Sequence, residues 1–384
     1  MQKRVLGLLC FVIAGWLVFA EEVGIGINRT NLAWEPEARQ FEILDEIHEL
    51  GVASVRLAFV QPHEPTYQHI KRCNELGMDV VLFVPTMERD LYFEPDVPMR
   101  EGNGDAYGIY TFPYLSEINV EKFAALYSYY IQTLKQRKLK VKAVQIGNEL
   151  NWCAFNGDMP MADGGIVVTE ENWREHDFMK RWGRGMQKYG QLMKCVREET
   201  DRVFADMPEL KPQIVTYGIA KVWDRYVKKN NGTIISPSLT AAVLSGKHPL
   251  SGGMDSVFDF ADAVACHIYP DNPLKNPVKG ATDYAARMIE PLMQAAGPDK
   301  PLYITEWGVA GAWFKGFPED DTGRLKWMGQ FIEALESDRF RDVPFEEIMF
   351  FDYDHMPPFS IYQNGRQLDA CRFFKEVRFD RNIH

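Results

Sequence analysis

Two glutamates stand where apolar runs end. Val144-Gln145-Ile146-Gly147-Asn148-Glu149 closes one run with a carboxylate, and Leu302-Tyr303-Ile304-Thr305-Glu306-Trp307-Gly308 repeats the arrangement downstream. An acid at the end of a buried strand lies at the strand mouth, where it can meet a ligand. Two such acids facing each other across a sugar-sized gap can cleave a glycosidic bond. One protonates the leaving oxygen, and the other attacks the anomeric carbon or activates water. A carboxyl separation of about 5–5.5 Å gives retention through a covalent intermediate, whereas about 6.5–9.5 Å gives inversion. Burial against Trp307 or Trp152 would hold one acid protonated at neutral pH, the split this chemistry uses. Either glutamate alone is equally well explained by a structural ion pair; the two together are the signal.

The pair needs elements that bring it together. Eight short apolar or β-branched runs recur: Val23 to Asn28, Ser54 to Val60, Val80 to Thr86, Val141 to Glu149, Gln213 to Ile219, Ala263 to Tyr269, Leu302 to Trp307 and Ile348 to Tyr353. They read as strands buried on both faces. Helix-period stretches lie between them, among them 41–50, 67–76, 120–135, 172–204, 284–295, 324–335 and 368–377. The segment after the fifth run is broken by Pro237, Pro249 and several glycines. The pattern predicts an α/β chain folded as a single (β/α)8 TIM barrel over residues 21–384. A doubly wound open sheet would want a phosphate loop after the first strand, and Gly24-Ile25-Gly26 is not GxGxxG. In a ring of eight, strands four and seven face each other across the mouth, which sets Glu149 opposite Glu306.

The connections are lopsided. Helix-to-strand joins such as Leu50-Gly51-Val52-Ala53 are short, while the strand-to-helix joins around 87–118, 150–170, 270–280 and 308–321 are long and aromatic. A barrel gathers those long loops at its C-terminal face, where active sites sit. Trp34, Tyr92, Trp152, Phe155, Trp223 and Trp313 are therefore expected near one rim. Each could stack on a sugar ring or simply pack its loop.

The chain has 384 residues, 46% hydrophobic and 25% charged, with a formal net charge of −11. That balance disfavours nucleic acid and polyanionic substrates and suits a neutral sugar chain. Lys3 and Arg4 precede an apolar run ending at Val18-Phe19-Ala20, which reads as a signal peptide over residues 1–20. The run is shorter than the roughly 20 residues that span a bilayer. The expectation is a secreted or periplasmic protein, free of the membrane after cleavage and monomeric. Five cysteines remain beyond the leader, with no CxxC pair, and read as small core residues. Asn28-Arg29-Thr30 and Asn231-Gly232-Thr233 are glycosylation sequons. No HExxH, EF-hand loop, clustered Cys/His set, GxSxG or P-loop occurs, so neither a metal nor another cofactor is expected. Asp352, Asp354 and His355 read as a polar cluster at the end of strand eight, and the basic stretch 135–142 as a solvated helix end.

The Asn148-Glu149 and Thr305-Glu306-Trp307-Gly308 motifs resemble those of the glycoside hydrolases of clan GH-A, at the level of strand order over the whole mature chain. The resemblance implies a retaining β-glycosidase with Glu149 as acid/base, Glu306 as nucleophile and Asn148 on the sugar 2-hydroxyl. Val55-Arg56-Leu57 is similar to the clan's strand-two arginine, which supports the nucleophile. His267-Ile268-Tyr269 is similar to its His-x-Tyr, whose hydroxyl bonds the nucleophile. The segment 145–149 also looks like the endo-β-1,4-galactanase branch. Strand three, ending Val84-Pro85-Thr86, and strand eight, ending Phe351-Asp352-Tyr353, depart from the cellulase–mannanase branch. Trp307, Trp152 and Trp34 complete the expected substrate-binding set. A silent carbohydrate-binding barrel, or an unrelated exported lyase or metal-dependent hydrolase, is the competing expectation.

Overall fold

The computed structural model describes residues 23–102, 110–270 and 277–379. The leader read from residues 1–20 lies outside the described residues. Eight parallel strands close a barrel: β1 Gly24–Asn28, β2 Ser54–Ala58, β3 Asp79–Val84, β4 Ala143–Ile146, β5 Gln213–Ile219, β6 Ala263–Ile268, β7 Leu302–Trp307 and β8 Phe345–Phe350. They pair in chain order, and β8 closes on β1. All eight predicted strands exist. The fourth stops at Ile146 rather than Glu149, because Gly147 (φ +82°) turns the chain out of the sheet. The eighth starts at Phe345, three residues earlier than the sequence indicates.

Helices α1 Glu37–Glu49, α2 His63–Leu76, α3 Val120–Gln136, α4 Met179–Val203, α5 Pro237–Leu244, α6 Pro277–Ala296 and α7 Thr322–Leu335 surround the barrel. Local chemistry sets several ends. Asn119 caps α3 by accepting from the Lys122 amide, and Ser236 caps α5 ahead of Pro237. Gly77 ends α2 in the left-handed conformation. The expected last helix is instead a 3-10 turn, Asp369–Arg372, followed by one helical turn at Phe373–Glu376. No helix among the described residues is long and apolar enough to cross a membrane.

Strand parity fills the barrel in layers. At the floor, Glu347 accepts from Ser54 Oγ (2.6 Å) and Lys142 Nζ (2.8 Å). A Cβ at Gly24 would lie 2.3 Å from Glu347 Oε2, so only glycine leaves room for that carboxylate. Lys142 therefore departs from the solvated reading of the basic stretch, whereas Arg137 and Lys135 follow it by pairing with Glu64 and Asp206 at the surface. Above the floor sit Val81, Ala143, Val215, Ala263, Ala265, Tyr303 and Met349. The next inward positions are polar: Asn28, Arg56, Gln145, His267, Thr305 and Glu306.

Loops at the C-terminal face are stitched together. Ile166–Val168 of the β4 loop pairs in parallel with Thr233–Ile235 of the β5 loop. Buried Arg100, in the β3 loop, donates to the carbonyls of Tyr110 and Cys153. The five described cysteines are all free thiols, four of them buried.

Candidate active site

Two backbone devices bring the glutamates inward. On β7, Cys266 pairs with Ile304 but His267 pairs with Glu306, so Thr305 is an extra residue in the ladder. Such a bulge re-aims side chains. It lets Thr305 and Glu306 both face the barrel axis, where strict alternation would admit one. Just past β4, Gly147 and then Glu149 itself (φ +42°) take left-handed conformations that bend Glu149 over the mouth.

A carboxylate oxygen of Glu149 and one of Glu306 lie within 4.8 Å of each other, and both lie that close to a His267 nitrogen. So close an approach of one oxygen from each acid is compatible with the retaining arrangement, in which the two carboxyl groups stand about 5–5.5 Å apart. Arg56 Nη1 donates to Glu306 Oε1 (2.6 Å) and Tyr269 Oη donates to Glu306 Oε2 (2.8 Å). His267 Nδ1 lies 2.6 Å from Glu149 Oε1. Arg56 also donates to Asn28 Oδ1 (2.9 Å), Gln145 Oε1 (2.8 Å) and Asn148 Oδ1 (2.9 Å). With its oxygen turned to Arg56, the Asn148 amide presents its NH2 group as a donor.

Access is graded. Arg56, Gln145, His267 and Thr305 are buried, whereas each glutamate side chain keeps 11% exposure and Asn148 and Tyr269 are half-buried. A ligand at the mouth would touch Asn148, Glu149, Tyr269 and Glu306, with the other four beneath them.

The environment splits the two acids. Burial pushes the Glu149 carboxyl up, and the nearby Glu306 charge adds to this, outweighing the opposing contacts from His267 and Arg56. Burial acts on Glu306 in the same sense, but the Arg56 guanidinium and the Tyr269 hydroxyl, joined by His267 whenever its ring is charged, outweigh it and hold that carboxyl below its ordinary value. The two carboxyls are thus shifted in opposite directions, Glu149 toward its protonated form and Glu306 toward its ionised one. Burial and the two carboxylates hold the Tyr269 phenol well above its usual range, so it remains a donor.

Glu149, His267 and Glu306 are also the one group among the described residues spaced to ligate a metal ion. The Arg56 guanidinium already occupies Glu306 Oε1, and a cation there would sit against it.

The tryptophans divide. Trp307 does not face the mouth: one residue past Glu306, it points outward and stacks on Phe331 (4.6 Å), with Phe350 and Phe373 against its edges. Trp152 is buried in the loop layer beside Tyr226 and Gly232. Tyr92 is likewise buried, packed on Phe123. Trp34 stands on the β1 loop with 65% exposure. Trp223 and Trp313 form a half-buried pair (4.9 Å), and Trp223 Nε1 donates to the Tyr269 carbonyl (2.8 Å). Asp352 is consumed by Ser360 and the Met356 amide, Asp354 pairs with Arg29, and His355 meets Asn31.

Sequence reasoning assigned no role to Asn28, Gln145 or Thr305. Asn28, which ends the first strand run and starts a sequon, is fully buried and holds the Thr305 carbonyl (3.0 Å) as well as Arg56, so the folded barrel cannot present it for glycosylation. Inward parity next to Arg56 and Glu306 was the signal that could have found all three.

Neither a family model nor a curated protein sequence matches the chain. Solved structures do match it in fold. A family 1 β-glucosidase from Thermotoga maritima superposes with a TM-score of 0.57 at 12% identity, covering 94% of this chain and 98% of that one. A fungal β-1,4-galactanase gives 0.56 at 12% identity, over 93% and 100%. A GH2 β-galacturonidase from Eisenbergiella tayi gives 0.52 at 12% identity, over 93% of this chain and 51% of that one. At this identity the likeness is one of fold.

Proposed function

We propose that this protein is a retaining β-glycoside hydrolase acting on an oligo- or polysaccharide. One observation carries the reading: two glutamates with carboxylate oxygens within 4.8 Å of each other, whose surroundings drive their protonation apart. Glu306, ionised against Arg56 and Tyr269, attacks the anomeric carbon. Glu149, protonated, gives its proton to the departing glycosidic oxygen as the C–O bond breaks. The glycosyl–Glu306 ester is then opened by water. Glu149, now a carboxylate, takes the water's proton, and both residues return to their starting forms. The Asn148 NH2 group is placed to hold a sugar hydroxyl, and Trp34 offers a stacking face farther along the rim. With the leader read from residues 1–20, the enzyme meets its glycan outside the cytoplasm.

The test is reducing-sugar release by residues 21–384 from β-linked glucans, mannans, galactans and xylans, with Glu306→Gln alongside. Release by the wild type, a first-formed product of retained configuration by proton NMR, and silence from the variant support the reading. Glycan-array binding without release would replace it with a carbohydrate-binding barrel. Activity lost to a chelator would replace it with a metal-dependent hydrolase.

A further inference from the structure

Beneath the carboxylates runs a chain of hydrogen bonds whose direction is set at its first link and carried on by the need to satisfy each buried hydrogen. Arg56 has only donors, so the group that meets its Nε at 2.8 Å is the Gln145 oxygen. The other end of that amide is therefore NH2, and it donates to Thr305 Oγ1 (2.9 Å). The Thr305 hydroxyl accepts there and, although it has a second lone pair, its own hydrogen needs an acceptor. Among the described residues the one side-chain acceptor in reach is His267 Nε2, at 3.1 Å, so satisfying that buried hydrogen makes Thr305 the donor. A nitrogen that accepts carries no proton, so the imidazole proton sits on Nδ1 and is donated to Glu149 Oε1 (2.6 Å). Every donor in the series Arg56, Gln145, Thr305, His267 points toward Glu149.

Room for this geometry is built into β5. A Cβ on Gly218 would lie 2.1 Å from His267 Nε2, so a side chain there would drive the ring from its place. All four relay side chains are buried, which shields the series from competing water.

We propose that Gln145 and Thr305 are positioning residues that fix the tautomer of His267 and so place the transferable proton of Glu149 on Oε2. With Nδ1–H pointing at Oε1, that oxygen accepts in both protonation states of Glu149. The acid proton resides on the oxygen the imidazole leaves free. In the opposite tautomer Nδ1 would accept, and Glu149 would spend its proton on His267 through Oε1. The relay also joins the two halves of the reaction, since the guanidinium that holds Glu306 starts the series that ends on Glu149. Outer-shell partners that set a histidine's tautomer in this way are familiar at metal sites; here the beneficiary is a carboxylic acid.

The inference rests on Glu149 acting as the acid, but its test does not require turnover. Long-range proton–nitrogen NMR of histidine-labelled protein reads the protonation of each imidazole nitrogen, and a His267→Asn sample identifies the resonances among the eight histidines. At neutral pH the wild type should show His267 protonated at Nδ1 and bare at Nε2. Thr305→Val removes the hydroxyl at constant shape and should shift His267 away from that pattern; Thr305→Ser should restore it. Gln145→Glu gives the Thr305 hydroxyl a new acceptor and should move the proton to Nε2. The other histidine resonances report whether each variant is folded. A wild-type His267 protonated at Nε2 or at both nitrogens overturns the proposal, as does an unchanged pattern in both folded Thr305→Val and Gln145→Glu. Sugar release and tautomer are separate readouts, so the two readings can fail independently.

Discussion

Replacing Arg56 by methionine tests the electrostatic split most directly. The side chain is 1% exposed and makes four hydrogen bonds, to Glu306, Asn28, Gln145 and Asn148. Methionine fills similar space and donates nothing. A cation beside a carboxylate lowers its pKa by about 1–3 units, and each unit is worth about 1.4 kcal/mol. Glu306 sits 2.6 Å from the guanidinium, so its loss should raise that carboxyl by about 1–3 units. Attack requires ionised Glu306, and activity falls as pH drops through its folded pKa. The acid limb of kcat/KM should therefore move to higher pH by the same amount. The alkaline limb, set by Glu149, should move less, because His267 rather than Arg56 touches that acid.

Stability carries the same sign. Glu306 is depressed in the folded state, so its contribution is present above the ordinary carboxylate value of 4.5 and fades as pH falls through the folded value. Breaking a buried pair costs about 3–5 kcal/mol. The deficit of Arg56→Met should be largest near neutrality in urea unfolding and narrow in acid. Arg56→Lys keeps the charge but not the fork, so it should preserve the acid limb while lowering kcat. A folded Arg56→Met enzyme whose acid limb stays at the wild-type pH would refute the assignment of Glu306 as the ionised partner.

Other outcomes follow from the same contacts. Glu306→Gln and Glu149→Gln should each cut turnover of a natural glycan, the former by on the order of 10⁴-fold or more, measured as sugar release. Glu149→Gln should also stabilise the protein at neutral pH by about 0.5–2 kcal/mol. Its carboxyl is raised on folding, so the stability it supports is full below pH 4.5 and is lost as pH rises through the folded value, a loss the amide avoids. Lys142→Met leaves Glu347 buried without its cation and should cost about 3–5 kcal/mol in urea unfolding at pH 7. That cost should shrink as pH falls and the already raised Glu347 carboxyl takes a proton, with kcat unaffected. Trp34→Ala should raise KM for a polysaccharide by roughly tenfold, the worth of about 1.4 kcal/mol of lost stacking area, and leave thermal unfolding unchanged.

What the sequence revealed and what it hid divide along a physical line. The eight strands were legible because each is an apolar run bounded by turn residues, and the two glutamates because they break such runs at their ends. Arg56 and His267 were singled out through family resemblance, yet parity also turns them inward, with Ser54 and Ala265 as inward neighbours two residues back. Trp307 was misjudged because the bulge at Thr305 cannot be seen in a one-dimensional pattern. Alternation without it would turn Glu306 outward and Trp307 into the mouth. Gln145 and Thr305 were passed over because a lone amide and a lone hydroxyl in apolar runs carry no chemistry of their own. Their meaning appears only when strands far apart in sequence, β2, β4 and β7, are brought side by side. Asn28 starts a sequon and ends a strand run, and a three-residue sequon says nothing of the burial that the fold gives it.

The same arrangement bears on why a catalyst fits better than a silent binder. Holding carboxylate oxygens of two acids within 4.8 Å of each other in a site this buried is unfavourable, since each acid resists ionisation and their like charges repel. A protein that only bound a neutral sugar could hold hydroxyls with amides at lower cost to its stability. Here the fold places a left-handed glutamate, a bulged strand and a guanidinium serving four partners around those two acids. Rules of local consistency are broken in this way where function requires it. The breakages at Glu149 and Thr305 converge on one gap between two oxygens, which is where a glycosidic bond would have to lie to be cut with retention.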